Sequence, residues 1–196
     1  MKNKEELIRK SVGASILISL GDYILLKIGN PLGPFLFAFG LLGVCYMGQN
    51  LFTGKCGFLF QDKIKILDLI IILVVNLLAG YLLGLLYSQL DVDVFENAVN
   101  KVQTWNMDWI FFVKSILCGV IMYIAVYMYK KGTPLGICFG IPLFILCGFQ
   151  HCIANIITMG IARTFDLTIF VCILGNFLGS IIMWYISKDT SPKGKK

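Results

Sequence analysis

Charged residues are scarce in this chain. Only 14% of its 196 residues are charged and 58% are hydrophobic, with a mean hydropathy of +0.82, whereas an average soluble domain has roughly 25% charged residues. An ordinary water-soluble domain is therefore excluded. Proline is also scarce, and the 20 glycines follow no short period, so a collagen-like chain is excluded as well. Because a membrane span needs about 20 apolar residues, the chain has room for roughly six spans and no soluble catalytic domain.

Histidine is rarer still, since His151 is the only one. The seven cysteines stand singly in or beside apolar runs, so we interpret them as small packing residues rather than a disulfide framework. The tightest group, Cys147, His151 and Cys152, lacks a fourth ligand at a usual metal spacing. We therefore expect no metal site, no cofactor and no enzyme. An embedded redox or metal enzyme built on these three residues is the alternative from another functional class.

Six hydrophobic segments are separated by polar residues. They cover residues 13–28, 32–60, 66–88, 110–129, 135–161 and 167–187. The second and fifth segments are longer than a bilayer requires, and each contains a polar interruption with glycine, at 48–54 and 148–152. The pattern predicts an all-α membrane protein of six transmembrane spans with broken second and fifth helices. Simple glycine kinks packed against neighbouring helices are the other interpretation of the interruptions.

The basic residues predict the orientation, because Lys and Arg accumulate in cytoplasmic loops. If the N-terminus is inside, all 17 Lys and Arg residues except Lys27, Lys101, Lys114 and Arg163 lie on the cytoplasmic side. We therefore expect both termini in the cytoplasm of a multi-pass cell-membrane protein, with no removed signal peptide. The net charge of +6 is explained by this topology, so no nucleic-acid partner is expected.

An internal repeat appears when the two halves are aligned with a shift of about 100 residues. Gly29-Asn30-Pro31-Leu32-Gly33 matches Gly132-Thr133-Pro134-Leu135-Gly136, and Asn76 matches Asn176. Three spans per half is an odd number, so the halves must be inverted, as in channels and transporters with discontinuous helices. The predicted organisation is a cytoplasmic segment 1–10, a first repeat 11–88, an extracytoplasmic loop 89–109, a second repeat 110–187 and a basic cytoplasmic tail 188–196.

Few polar residues lie at membrane depth, and these are the candidates for function. An ionisable side chain at that depth indicates a pathway role, and His151 can exchange a proton with a passing weak acid. The hydroxyl of Thr53 in the first interruption is a plausible partner that donates to the permeant ion. Asp22 is a minor pathway candidate. We expect Asn76 and Asn176 to serve helix packing.

The interruptions carry a family resemblance. Leu51-Phe52-Thr53-Gly54 after Gly48, and Gly148-Phe149-Gln150-His151-Cys152-Ile153-Ala154-Asn155, resemble the two signature stretches of the formate/nitrite transporter family, G-x-E-L-F-T-G-N and G-F-E-H-S-x-A-N. The resemblance extends from about residue 11 to 187. It implies an aquaporin-like fold, a homopentamer with one pore per protomer in membrane lipid, and passage of small weak-acid anions such as formate or nitrite.

Site roles follow from the same resemblance. Thr53 looks like the family's loop threonine, His151 like its central pore histidine and Lys101 like its vestibule lysine. The residues that look like its apolar constrictions are Phe37, Leu41, Phe52 and Phe144.

The chain departs from the family pattern at polar positions. Asn50 and Gln150 replace the two carboxylates, and Gly119 stands where many members have a pore asparagine. Loss of the acids makes an anion less costly near the pore, and Gly119 is expected to widen the passage. A channel for hydrosulfide or a small neutral solute on the same fold is therefore the alternative function. A non-conducting structural relative also stays open.

Overall fold

The computed structural model describes residues 4–188, and that range forms α-helices without strands. The nine α-helices are α1 Lys4–Ile28, α2 Leu32–Tyr46, α3 Phe52–Lys55, α4 Ile66–Tyr87, α5 Val92–Gln103, α6 Trp109–Lys130, α7 Leu135–Leu146, α8 Cys152–Ile161 and α9 Thr168–Ser187. Four of them, α1, α4, α6 and α9, are long and apolar enough to cross a membrane. The chain is an all-α, multi-pass membrane protein. The predicted tail 188–196, apart from Lys188, and residues 1–3 of the N-terminal segment lie outside the described range.

Two pairs of shorter helices occupy the second and fifth hydrophobic segments. The pair α2 and α3 is separated at residues 47–51, and the pair α7 and α8 at residues 147–151. Gly48 and Gly148 follow the first helix of each pair with φ of 62° and 68°, in the left-handed region that glycine adopts without strain. Each glycine allows the chain to reverse direction at the end of its helix. The residue after each glycine then donates a hydrogen bond to a carbonyl of that helix: the Gln49 N–H to the Val44 C=O, and the Phe149 N–H to the Phe144 C=O.

The long helices enclose these breaks. Helix α1 packs against α2 and α4, α6 packs against α7 and α9, and α4 packs against α8. Small residues permit the closest approaches: a Cβ added to Gly84 of α4 would collide with the Ile157 carbonyl, and one added to Gly160 of α8 would collide with the Tyr81 carbonyl. Such contacts let helix backbones meet where apolar burial gives no driving force between helices in lipid.

Two elements differ from the sequence prediction. Helix α1 begins at Lys4 rather than at residue 13, because acidic side chains occupy its first turn and Glu6 pairs with Lys10 at 2.7 Å. The predicted loop 89–109 contains the amphipathic helix α5, which Asp91 caps by accepting the Asp93 and Val94 N–H groups. A search for long apolar runs does not detect polar or amphipathic helical turns.

Candidate functional site

The centre of the site is a hydrogen bond between the two signature stretches. His151 Nε2 lies 2.8 Å from Thr53 Oγ1, and both side chains are buried. His151 Nδ1 accepts the Ala154 N–H at 3.1 Å, so the histidine caps helix α8. Because Nδ1 is an acceptor, the neutral ring carries its proton on Nε2 and donates it to the threonine.

Two asparagines hold the breaks. Asn76 of α4 accepts the Phe52 N–H at 2.9 Å and donates to the carbonyls of Asn50, at 3.2 Å, and Ser11, at 2.8 Å. The buried amide thus replaces helix partners that the break removes from Phe52 and Asn50.

Asn176 of α9 does the same at the second break. It accepts the Cys152 N–H at 2.8 Å and donates to the carbonyls of Gln150, at 2.7 Å, and Ser115, at 2.8 Å. The sequence predicted packing and cross-helix bonds for both asparagines, and each in fact supports the backbone of a break.

Two cavities lie at opposite ends of α6. The larger, about 670 Å³, is lined from the first turns of α6 by Ile110, Phe111 and Lys114, and it reaches His151. The smaller, about 120 Å³, is lined from the last turns by Val126, Tyr129 and Lys130. These two groups of α6 residues are roughly 24 Å apart at 1.5 Å per residue. Thr53 lies between Leu51 and Gly54 in the sequence, and both of those residues line the smaller cavity.

The predicted constriction residues divide between the two cavities. Phe37 and Phe144 line the larger one, with ring centroids 6.4 Å apart, and the Phe144 ring stacks on His151 at 5.9 Å. Leu41 lines the smaller one. Phe52 is buried but lines neither of these cavities, whereas its neighbour Leu51 does line the smaller one.

Lys101 reaches the larger cavity from α5. Its Nζ lies 3.4 Å from Asp22 Oδ1 and 3.3 Å from Thr158 Oγ1. Thr158 in turn donates to Asp22 Oδ2 at 2.8 Å. The structure thereby brings Lys101 into the cavity that contains His151, and it gives Asp22, a minor candidate in the sequence, two polar partners.

Asn50 and Gln150 lie at the two breaks, as predicted. Gln150 lines the larger cavity, and its Oε1 accepts from Asn155 Nδ2 at 2.9 Å. The Asn50 side chain makes one long bond, donating to the Leu7 carbonyl at 3.5 Å. The two amides are therefore directed differently, although their backbones have equivalent partners.

Gly119 lies where helices α6 and α9 meet. This residue lines neither cavity and packs against α9, where an added Cβ would collide with the Asn176 carbonyl. The Gly119 carbonyl accepts from Ser180 Oγ at 3.0 Å. Gly119 therefore allows α6 and α9 to approach closely.

No group of three or more His, Cys, Asp or Glu side chains suited to a metal ion occurs between residues 4 and 188. Cys147 is exposed and Cys152 is buried, and protein groups engage both ring nitrogens of His151.

Sequence reasoning missed three residues near the site. Thr158, Leu51 and Asn155 contact or line it, and of these Leu51 and Asn155 stand in the two signature stretches. Leu51 is the last residue of the first break, and Asn155 and Thr158 lie on α8 directly after the second break. These positions are the feature that could have indicated them.

Comparisons with known proteins identify the fold and the family. The sequence model described as formate/nitrite transporter matches residues 2–169. The chain belongs to the formate/nitrite transporter family. This confirms the resemblance noted in the signature stretches. The "Formate-nitrite transporter" of Plasmodium falciparum is 23% identical over 78% of this chain, which spans only 59% of that relative's length. The "Uncharacterized transporter YrhG" of Bacillus subtilis is 28% identical over 87% of this chain and 77% of that protein.

Solved structures of the family share the fold. An "FNT family ion channel" superimposes with a TM-score of 0.72 at 22% identity, covering 94% of this chain and 87% of that one. A "Pentameric formate channel with formate bound" gives a TM-score of 0.68 at 18% identity, covering 93% of this chain and 92% of that one.

Proposed function

We propose that this chain is a membrane channel for small monovalent weak-acid anions, such as formate or nitrite, with proton exchange at His151. One observation carries the proposal: the buried His151–Thr53 hydrogen bond of 2.8 Å stands between two cavities at opposite ends of α6. Membership of the formate/nitrite transporter family supports it. Neither an enzymatic activity nor a cofactor is part of the proposal.

The proposed architecture has six spans in two inverted repeats, 11–88 and 110–187, with 89–109 outside the membrane. Helices α2 and α3 together form one broken span, and α7 and α8 form the other. Supporting this, Asn76 and Asn176 make equivalent bonds to the two breaks, and Gly48 and Gly148 share one conformation. By analogy with the pentameric formate channel, the protein forms a homopentamer in lipid.

The proposed orientation places both termini, with segments 1–10 and 188–196, in the cytoplasm of a cell-membrane protein. The smaller cavity then faces the cytoplasm and the larger cavity faces outward. The distribution of lysine and arginine supports this orientation, since Lys55 and Lys130 line the smaller cavity.

The proposed path begins at Lys101, whose ammonium attracts an anion into the larger cavity. The anion next passes Phe37 and Phe144, which exclude hydrated ions. It then meets the Thr53–His151 pair, flanked by Asn50 and Gln150, and leaves past Leu41, with Phe52 packed behind the loop. Because His151 donates to Thr53, the threonine keeps its own hydroxyl hydrogen to donate to the anion.

Proton exchange makes a specific demand on His151. The neutral ring has one N–H, on Nε2, and the Ala154 N–H occupies Nδ1. A proton can join the ring only at Nδ1, so the Ala154 hydrogen bond must open first. The imidazolium can then release a proton to the anion, which continues as the neutral acid. The cap on α8 and the proton are thus in competition for one nitrogen.

A second candidate function is passage of hydrosulfide or a small neutral solute. The observation that favours it is the charge balance of the larger cavity, whose lining contains Lys101 and Lys114 beside Asp22 and Asp108. A cavity with little net charge discriminates less strongly in favour of anions.

Uptake by liposomes tests the proposal. Purified protein is reconstituted, and uptake of formate, nitrite, hydrosulfide and glycerol is compared with uptake by empty liposomes. We expect formate and nitrite uptake well above background, with glycerol at background. Uptake of hydrosulfide or glycerol without formate and nitrite would favour the second candidate, and uptake of none would contradict a channel.

Matched threonine variants connect uptake to the site. Thr53→Val removes the buried hydroxyl at almost constant volume, and we expect formate uptake to fall at least tenfold. Thr164→Val makes the same change in the loop after α8, outside both cavities, and should leave uptake unchanged. Equal uptake by the two variants would exclude Thr53 from the path.

A further inference from the structure

Asp22 is a buried acid in a membrane helix. Its side chain has 0% exposure, and it lies in the apolar second half of α1. An ionisable group at such a position is costly unless it has partners, and it indicates a functional role. The family resemblance gave no role to this residue, which makes it the strongest unexplained group near the cavities.

Three helices bring the partners of Asp22 together. Its Oδ1 faces Lys101 of α5 at 3.4 Å, and its Oδ2 accepts from Thr158 of α8 at 2.8 Å. Lys101 also donates to Thr158 at 3.3 Å, which closes a triangle of side chains. The Asp22 side chain is fully buried, whereas 32% of the Lys101 side chain remains exposed.

The position of the carboxylate determines what an anion meets. An anion that approaches Lys101 in the larger cavity also approaches Asp22, because both residues line this cavity and their charged groups lie 3.4 Å apart. The other acid in the lining, Asp108, is exposed and caps α6 by accepting the Phe111 N–H, so water screens its charge. Asp22 is thus the buried negative charge closest to the ammonium that faces the cavity.

We propose that Asp22 is a specificity-determining residue that weakens and positions the positive charge of Lys101, so that anions enter the cavity and also leave it. This inference rests on the proposed function, for which Lys101 attracts the anion. Conduction needs binding that is favourable enough for entry and weak enough for release. A lysine without a counter-charge in a low-dielectric wall would hold anions too strongly.

The first experiment measures anion accumulation in the cavity without relying on transport. Trp105 lines the larger cavity, so its fluorescence is isolated by Trp109→Phe and Trp184→Phe. Quenching by iodide, an anion, is divided by quenching by acrylamide, which is neutral. We expect Asp22→Asn to raise this ratio roughly threefold, because the lysine charge is no longer balanced. An unchanged ratio in folded protein overturns the proposal, whether or not the channel carries formate.

The second experiment separates binding from turnover. In liposomes, Asp22→Asn should lower the half-saturating formate concentration roughly threefold to tenfold and also lower the maximal rate. Lys101→Met should raise the half-saturating concentration, because it leaves Asp22 as a lone negative charge. The double variant has neither charge and should lie between the two. A purely structural Asp22 would lower the maximal rate alone and leave the half-saturating concentration unchanged, which would overturn the proposal.

Controls keep the result decisive. Asp93→Asn removes the same charge from an exposed position on α5 outside the cavity lining, and it should leave both the quenching ratio and the half-saturating concentration unchanged. If Asp22→Asn does not assemble, the double variant is compared with Lys101→Met alone. A higher quenching ratio in the double variant supports the proposal, and an equal or lower ratio overturns it.

Discussion

The two helix breaks, between α2 and α3 and between α7 and α8, have equivalent hydrogen bonds from their backbones to an asparagine. They differ in the side chain at the start of the helix that follows. Leu51 precedes α3 and His151 precedes α8, and both are buried. Leu51 provides no side-chain cap, whereas His151 accepts the Ala154 N–H. The asparagines Asn76 and Asn176 therefore stabilise the backbone of both breaks in the same way, and the residue before each following helix determines the chemistry of the break.

The helices that follow the breaks differ as well. Helix α3 has four residues and continues as a 3-10 turn at Cys56–Phe58, whereas α8 has ten residues, all buried. Through Thr158, α8 also contacts Asp22 and Lys101. The second break thus connects the histidine to the charged groups of the larger cavity, while the first break supplies the threonine.

Replacing Asn76 or Asn176 should have the largest effect on the stability of the protein. Asn76→Leu and Asn176→Leu each leave buried N–H and C=O groups without partners, at about 1–3 kcal/mol per group. We expect both to lose about 3 kcal/mol or more of stability, measured as thermal unfolding of the protein in detergent. Asn30→Ala, which removes one exposed bond to the Leu32 N–H, is the control. If only one of the two asparagine variants lost stability, the two asparagines would not have equivalent roles.

The contact between α6 and α9 should give an intermediate effect. Gly119→Ala places a methyl group against the Asn176 backbone, and such overpacking costs roughly 1–3 kcal/mol. Ser19→Ala is the matched change at the corresponding position of α1, and it removes bonds to the Ile16 carbonyl and the Tyr87 hydroxyl. We expect Gly119→Ala to lower the unfolding temperature more, with unchanged selectivity between formate and glycerol. Normal stability with altered selectivity would instead support the pathway role expected for Gly119.

The ion pair between Lys27 and Asp91, which lies outside the breaks, should make the smallest contribution to stability. Hydrogen bonding to Lys27 lowers the pKa of Asp91 below its usual range. A depressed carboxyl pKa stabilises the folded state at neutral pH, and this contribution is lost as the pH falls through the folded pKa. Lys27→Met should therefore lower the unfolding temperature slightly at pH 7, and the difference should shrink below about pH 4. A difference that persisted unchanged in acid would mean that packing, not charge, is responsible.

The sequence predicted the breaks better than the residues around them. Glycine and amide residues interrupting long apolar runs located both breaks within one residue of their start, because such residues have few other reasons to occur there. The start of α1 and the whole of α5 were missed, because their turns are polar or amphipathic.

Contacts between distant residues were mostly beyond sequence reasoning. Asp22 and Lys101 lie on different helices, and nothing local to either one indicates the other. The expectation for Gly119 came from a family position, and a glycine at a helix crossing has the same appearance in the sequence. The cost of an ionisable group inside a membrane indicated His151 from the sequence. Its role as the cap of α8 could be recognised only in the structure.

The pH profile of formate uptake by His151→Asn tests the central claim most directly. Asparagine can still accept the Ala154 N–H and cap α8, but it does not titrate. Leu51→Asn makes the corresponding change at the first break and serves as the matched variant. With rates corrected for the concentration of the anion, we predict that uptake by wild type and by Leu51→Asn still depends on pH, whereas uptake by His151→Asn does not. A folded His151→Asn protein with the wild-type profile would contradict proton exchange at this residue.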